Sequence, residues 1–245
     1  MDGRGPQTMV RTFPRILACG DSALSVELAD TIDEAVSERV IALAASMADS
    51  PVDGVEELVP TYRSLMVVYD PAVVRGRSLA LTLQQRLDTL VVGSVHPQRF
   101  DVPVVYGGAV GLDLQELAGM KGMTVSQLIE LHSSVEYRVY MIGFAPGFAY
   151  LGGLPEILHT PRLPTPRQRI EAGAIGIGGK QASINSVPGP SGWRFIGRTL
   201  LRLFDPSRAT PFLLGAGDRV RFRPVSEDEA SQFARTSAAG EGATS

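Results

Sequence analysis

The sequence contains a single cysteine, Cys19, among its 245 residues. One cysteine excludes an internal disulfide and a metal site built from several thiolates. We interpret Cys19 as a small buried residue in a strand, the common role of a free cysteine, and not as a nucleophile. The shortage of cysteine fits a cytoplasmic protein.

The chain also lacks a long apolar run, an excess of positive charge and the common catalytic motifs. No segment approaches the roughly 18 consecutive apolar residues that a membrane span needs. The net charge is −3, so nucleic acid is not an expected partner. The sequence has no Walker A, HExxH, GxSxG or CxxC pattern. We therefore expect no metal site, and no cofactor bound by this chain.

Glycine and proline are instead abundant in one stretch, residues 140–206. Glycine costs a helix about 1 kcal/mol and proline about 3 kcal/mol at each interior position, which excludes helix here. The stretch is too apolar for a disordered linker. It predicts short strands joined by tight turns, and loops held by such a scaffold are where functional sites usually lie.

The N-terminal part of the chain predicts an α+β domain over residues 12–93. Alternating apolar residues and helical periodicity give the order strand, strand, helix, strand, strand, helix. Thr31 and Glu34 have the spacing of a capping box, which predicts the start of the first helix. Two helices packed on one face of a small antiparallel sheet are the expected arrangement.

The second domain is predicted over residues 99–225, after a linker from Gly93 to Gln98. It is strand-rich with two short helical inserts, and it favours a barrel over a sandwich. Thr124 and Gln127 form a second capping-box pattern. We expect residues 1–11 and 226–245 to be flexible termini.

Four cationic or amide side chains in the glycine-rich stretch are candidates for binding an anionic substrate. Arg162 and Arg167 lie among prolines that hold their loop extended, and arginine forks suit carboxylates. The alternative is that they cap carbonyls or pair with surface acids. Lys180 and Gln181 follow the glycine run 176–179. A lysine there could meet an anion, but it could also be simply solvated.

Aromatic residues, a further arginine and a histidine are further candidates. Phe144 lies on a glycine-braced loop that could be a pocket wall or an interface. Trp193 could line the same pocket or belong to the core. Arg198 has apolar neighbours in sequence, so it should need a partner. His132, at the end of a helix, is our candidate for a catalytic acid or base.

Several of these segments resemble the signature of a known family. They are GFAPGFAYLGGLP, TPRLPTPR, AGAIGIGGKQ, GWRFIGRT and LFDP, together with GDSAL, LVPTYRSLMVVYDP and LHSSVEYRVYMIGF. The resembling family is the KipI family, whose members are also called allophanate hydrolase subunit 1 and the B subunit of 5-oxoprolinase. The resemblance implies a ferredoxin-like α+β domain followed by a cyclophilin-like β-barrel.

The resemblance also implies a partner and an activity. The expected partner is KipA-like, also described as allophanate hydrolase subunit 2 or the C subunit of 5-oxoprolinase. The implied activity is that of a hydrolase subunit, active only with its partner, in ATP-dependent opening of 5-oxoproline to glutamate. A related allophanate hydrolase or a urea-carboxylase-like carboxyltransferase is also implied. The substrate is then a small amide or ureido acid, and ATP is used by another member of the complex.

The sequence departs from the family pattern after Gln181. The usual Thr-Gly-Ile-Tyr-Pro is replaced by Ala-Ser-Ile-Asn-Ser over residues 182–186. Asn185 thus brings an amide where the family has a ring, which would change hydrogen bonding in any pocket there. We include Asn185 among the substrate-binding candidates. A second hypothesis is a non-catalytic protein that inhibits a sensor histidine kinase, because the chain shows no complete catalytic set.

Overall fold

The computed structural model describes residues 12–93 and 97–240. The centre of the predicted linker, residues 94–96, and the predicted flexible residues 1–11 and 241–245 lie outside the described residues. The described chain falls into two compact units, divided between residues 96 and 97.

The N-terminal unit is an antiparallel sheet with helices on one face. Its elements are β1 (Arg15–Ala18), β2 (Ala23–Glu27), α1 (Glu34–Asp49), β3 (Val55–Pro60), β4 (Ser64–Tyr69) and α2 (Gly76–Asp88). The strand order is β1-β2-β4-β3. Alternate residues of β4, namely Leu65, Val67 and Tyr69, are buried in one core with residues of both helices, because successive strand residues point to opposite faces.

Two local predictions in this unit are wrong. The first helix begins at Glu34, and Asp33 is its N-cap: the Asp33 carboxylate accepts hydrogen bonds from the backbone N–H groups of Ala35 and Val36. Asp33 therefore does what we assigned to the Thr31 capping box, since aspartate is among the strongest N-cap residues. Cys19 is exposed and follows β1, so it is not buried within a strand.

The C-terminal unit is built on a closed seven-stranded barrel with the strand order β10-β7-β6-β13-β5-β12-β9. Its first elements are β5 (Arg99–Tyr106), α3 (Leu114–Met120), α4 (Val125–Ser133), β6 (Glu136–Ile142) and β7 (Ala149–Gly152). They are followed by β8 (Arg167–Ile170), β9 (Ala174–Gly178), β10 (Gln181–Ile184), β11 (Gly189–Ser191), β12 (Arg194–Arg198), β13 (Arg219–Pro224) and α5 (Glu227–Gly240). The α+β class with a closed barrel is confirmed.

Two apolar layers lie on either side of the barrel wall. Inward-pointing residues such as Ile175, Ile177, Ala182 and Ile184 form the interior core. A smaller outer cluster lies on the other face of the same strands. We use this name for the buried residues Phe148, Ile170, Ala174, Trp193 and Phe195 with the half-buried Tyr150. The ribbon formed by β8 and β11 contributes Ile170 to it.

Helix ends in this unit show both a confirmed and a missed capping box. Thr124 caps α4 with Gln127, as predicted. Residues 227–240, which we predicted as part of a flexible terminus, form the helix α5. Ser226 and Glu229 form reciprocal hydrogen bonds at its start: the Ser226 Oγ accepts from the Glu229 N–H, and the Glu229 carboxylate accepts from the Ser226 N–H. These bonds and the Ser226 hydroxyl hold the pKa of Glu229 below its usual value.

Candidate functional site

The candidate site lies on the outer face of the barrel, where Trp193 packs against β9. The ring rests on a strand with two glycines facing it. A Cβ at Gly178 would lie 2.8 Å from Cδ2 and Cε3 of Trp193, and one at Gly176 would lie 3.3 Å from its Cβ. Trp193 is 5% exposed. The missing side chains of these glycines thus make room for the ring.

Aromatic rings continue from Trp193 toward the surface. The Tyr150 centroid lies 6.1 Å and the Phe148 centroid 6.0 Å from that of Trp193. The Phe144 ring contacts Phe148 edge-on at 5.5 Å and is 69% exposed. Phe144 has φ +67°, a left-handed conformation that is unusual for a bulky residue. The loop therefore presents one ring of this row to solvent.

Arg162 lies over the ring of Trp193. Its Cζ lies 4.8 Å from the indole centroid, over the ring face. Burial raises the pKa of the Tyr150 hydroxyl, and the positive charge of Arg162 opposes this shift. The positive charge of Arg162 therefore acts on both the Trp193 ring and the Tyr150 hydroxyl.

Lys180 and Gln181 lie at the same end of β9. Gln181 is directly opposite Gly178 in the pairing of β10 with β9. Lys180 is exposed and follows Gly179, which is bridged to Thr160, two residues before Arg162. The glycine run 176–179 belongs to a strand and its turn, so it is not a phosphate loop.

The other predicted residues form hydrogen bonds or ion pairs within the fold. The Arg167 guanidinium is bidentate to Asp113 at 2.9 and 2.6 Å, so two of its five N–H donors are used within the fold. Asn185 donates its amide to the carbonyls of Ile170, Glu171 and Val187, so it secures a corner of the fold. Arg198 donates Nε–H to the Ala172 carbonyl at 2.9 Å.

His132 does not fit the predicted role of a catalytic acid or base. It is fully buried, and its ring stacks on Phe222 with a centroid distance of 4.7 Å. Nδ1 lies 2.8 Å from the Tyr106 hydroxyl, while Nε2 has no hydrogen-bond partner among the described residues. Burial lowers the pKa of His132 to about 3. A ring without access to solvent has no route to a substrate proton.

Sequence reasoning missed Ser183. This residue lies between Tyr150 and Gly176 in the strand pairing, on the face opposite the inward-pointing Ala182 and Ile184. Its side chain is fully buried, and its Oγ has no hydrogen-bond partner in the part of the chain that the structure describes. The period-two pattern of β10 could have placed this hydroxyl on the outer face.

We expect Ser183→Ala to raise the free energy of unfolding by roughly 1 kcal/mol, because an unsatisfied buried hydroxyl is removed. The matched control is Ser191→Ala, whose Oγ accepts a hydrogen bond from the Trp193 N–H at 3.3 Å. That variant should be destabilised. Urea unfolding followed by Trp193 fluorescence measures both, and equal destabilisation of the two variants would contradict the expectation.

Two further features of the described residues bear on the type of site. No group of three or more His, Cys, Asp or Glu side chains within residues 12–93 and 97–240 could hold a metal ion. A pocket of about 300 Å³ lies beside α1 and α2. Arg86, which lines it, already donates to the carbonyls of Ser46 and Ser50, so we do not take it as the functional site.

Comparison with known proteins places the barrel and the preceding unit in one family. The family described as "Carboxyltransferase domain, subdomain C and D" matches residues 14–214, and the chain belongs to it. None of the described helices is long and apolar enough to cross a membrane.

Individual relatives agree with this assignment. The chain is 43% identical over 217 residues to the 5-oxoprolinase B subunit of Escherichia coli O157:H7, covering 87% of this chain and 97% of that protein. It is 37% identical over 221 residues to the 5-oxoprolinase B subunit of Bacillus subtilis (strain 168), covering 86% and 92%. The Kluyveromyces lactis urea carboxylase shares the fold, with a TM-score of 0.73 at 18% identity, over 92% of this chain and 23% of that one.

Proposed function

We propose that this chain is the B-type subunit of an ATP-dependent 5-oxoprolinase, a cytoplasmic hetero-oligomer that opens the ring amide of 5-oxoproline to give glutamate. The observation that carries the proposal is the 43% identity to the Escherichia coli protein across 97% of its length. The expected partner is a C-type, KipA-like subunit, and another member of the complex uses ATP.

The geometry supports different roles for this chain and for its partners in the reaction. The site on the outer face brings together Arg162, Trp193 and Tyr150, which are suited to holding a small anionic ligand. His132 is paired with Tyr106, and the ring of His159 has its Nε2 3.1 Å from the Leu154 carbonyl. No serine hydroxyl is hydrogen-bonded to either of these two described histidines. We infer that this chain binds and orients substrate and that its partners complete the reacting groups.

Reconstitution tests the proposal. The chain is co-expressed with its C-type partner and the third protein of the complex, and glutamate release from 5-oxoproline is followed with ATP present. We expect glutamate when all three proteins are present and only background when this chain is omitted, because the ring amide is opened by the assembled complex. No glutamate release with all three present would overturn the proposal.

Two further arms separate the alternatives. Allophanate and urea are offered to the same complex, and turnover of either in preference to 5-oxoproline would assign the related amide-processing activities. The isolated chain is also added to a sensor histidine kinase during autophosphorylation. Inhibition of the kinase by a chain whose complex has no activity would favour the regulatory alternative.

A further inference from the structure

Arg162 differs from the other arginines around the outer cluster in having neither an acidic partner nor a hydrogen bond among the described residues. Three neighbours are paired with carboxylates: Arg167 with Asp113, Arg169 with Glu171, and Arg194 with Glu116. In contrast, no ion pair or hydrogen bond involves the Arg162 guanidinium within residues 12–93 and 97–240. Its five N–H donors are therefore open to a ligand.

The position of Arg162 is held by the fold. Its stem packs beside Gly178, where a Cβ would lie 3.2 Å from the Arg162 Cγ and 2.8 Å from two Trp193 ring atoms. The ring in turn is fixed within the buried outer cluster. An exposed arginine normally loses rotamer freedom when it binds a ligand. The contact with Trp193 removes part of that cost in advance, because the guanidinium is already localised over the ring.

Two polar side chains lie near the stacked Arg162 and Trp193. The Ser183 hydroxyl is fully buried without a partner among the described residues, and it is one strand away from Tyr150. A buried hydroxyl left unsatisfied costs stability, and departures from local rules of this kind concentrate at functional sites. Lys180 adds a second positive charge at the same end of β9, next to the residue bridged to Thr160.

We propose that Arg162, stacked on Trp193 and close to Tyr150, is the binding site for the carboxylate of a small planar amide acid. The guanidinium takes the carboxylate in a two-point contact. The carboxylate requirement follows from the unpaired arginine, whereas the choice of a lactam acid as ligand rests on the proposed function.

Calorimetric titration of the full chain with 5-oxo-L-proline tests this site. We expect saturable binding that weakens roughly 10- to 100-fold in Arg162→Gln, as for the loss of hydrogen bonds to a charged group. The neutral carboxamide of the same ligand should lose a similar factor with the unsubstituted chain. Arg169→Gln is the matched control: this exposed arginine is already paired with Glu171, so its substitution should leave the affinity unchanged.

The outcomes separate the site from the proposed function. In the reconstituted complex, Arg162→Gln should raise KM for 5-oxoproline with little change in kcat. A complex that turns over 5-oxoproline equally well with and without Arg162 overturns the site and leaves the proposed function in place. An inactive complex, with Arg162-dependent carboxylate binding by the chain, leaves the site in place and overturns the function. Equal binding of acid and carboxamide overturns the site.

Discussion

Replacement of Asp113 by asparagine is expected to destabilise the barrel unit by about 3 kcal/mol, the lower end of the range for breaking a buried ion pair from one side, because the Arg167 side chain is 31% exposed. Asp113 is 1% exposed. Its carboxylate accepts two hydrogen bonds from Arg167 and one from the Phe195 N–H at 2.6 Å. An asparagine of the same shape removes the charge and turns one acceptor into a donor, so at least one of these N–H groups loses its partner.

The measurement is urea unfolding with Trp193 as the fluorescent reporter, since the chain has a single tryptophan. Glu171→Gln is the matched control because Glu171 and its partner Arg169 are 51% and 68% exposed. Exposed pairs contribute about 1 kcal/mol or less, so this variant should be close to the unsubstituted chain. An Asp113→Asn effect as small as that of the control would contradict the burial argument.

A double variant makes the test specific to the pair. Arg167→Gln leaves Asp113 as an unpaired buried carboxylate, so it should also be strongly destabilising. Because both single changes break the same interaction, Asp113→Asn combined with Arg167→Gln should cost clearly less than the sum of the two. Additive effects would mean that the two residues stabilise the fold independently.

This pair also shows where prediction from sequence ends. The proline-rich loop predicts that its arginines are held extended, and this prediction is the same for Arg162 and Arg167. Their difference depends on Asp113, which is 54 residues from Arg167 in sequence and is brought close by the packing of α3 against β12. Only the three-dimensional structure shows that the Arg167 guanidinium pairs with a carboxylate of the fold and that the Arg162 guanidinium does not.

A capping motif predicts the start of a helix well where one capping residue is present and poorly where two capping residues lie close together. The Thr124–Gln127 pattern predicts its helix start correctly because no better cap lies nearby. The Thr31 pattern fails because Asp33, two residues later, takes the N-cap position. At the C-terminus, composition suggests disorder, although Ser226 and Glu229 carry the same capping signal. Composition averages over a segment, whereas a cap acts through two side chains.

The surroundings of His132 could not be predicted from the neighbouring sequence either. A histidine at a helix end suggests an exposed, titratable group. Its actual neighbours come from distant strands: Tyr106 from β5 and Phe222 from β13. The His132 ring is therefore neutral and lies inside an apolar layer. Its protonation affects the stability of the fold and not catalysis.

The unsubstituted protein should therefore lose stability in mild acid because of His132. Burial lowers the pKa of His132 to about 3 in the folded chain, against about 6.5 for an exposed histidine in the unfolded chain. Well above pH 6.5 the ring is neutral in both states, so it contributes no pH dependence. Below the unfolded-state pKa, His132 binds a proton in the unfolded chain but not in the folded chain. The free energy of unfolding therefore falls until the pH reaches the folded-state pKa of His132.

The expected loss between pH 7 and pH 5 is roughly 2 kcal/mol, obtained from the two pKa values by linkage. This window lies above the range in which ordinary carboxylates titrate. Burial raises the pKa of the adjacent Tyr106 and Tyr137, so these hydroxyls remain neutral throughout and do not contribute. We therefore expect His132 to contribute most of the slope in this window.

His132→Phe provides the decisive variant, because a phenyl ring retains the packing on Phe222 but cannot take up a proton. Its unfolding free energy should be nearly constant from pH 7 to pH 5, whatever its absolute value, since the Tyr106 hydroxyl loses its partner at every pH. His159→Gln is the control and should keep the acid-dependent loss. Urea unfolding at several pH values measures all three proteins. A His132→Phe variant that loses as much stability in acid as the unsubstituted chain would show that another group is the proton acceptor.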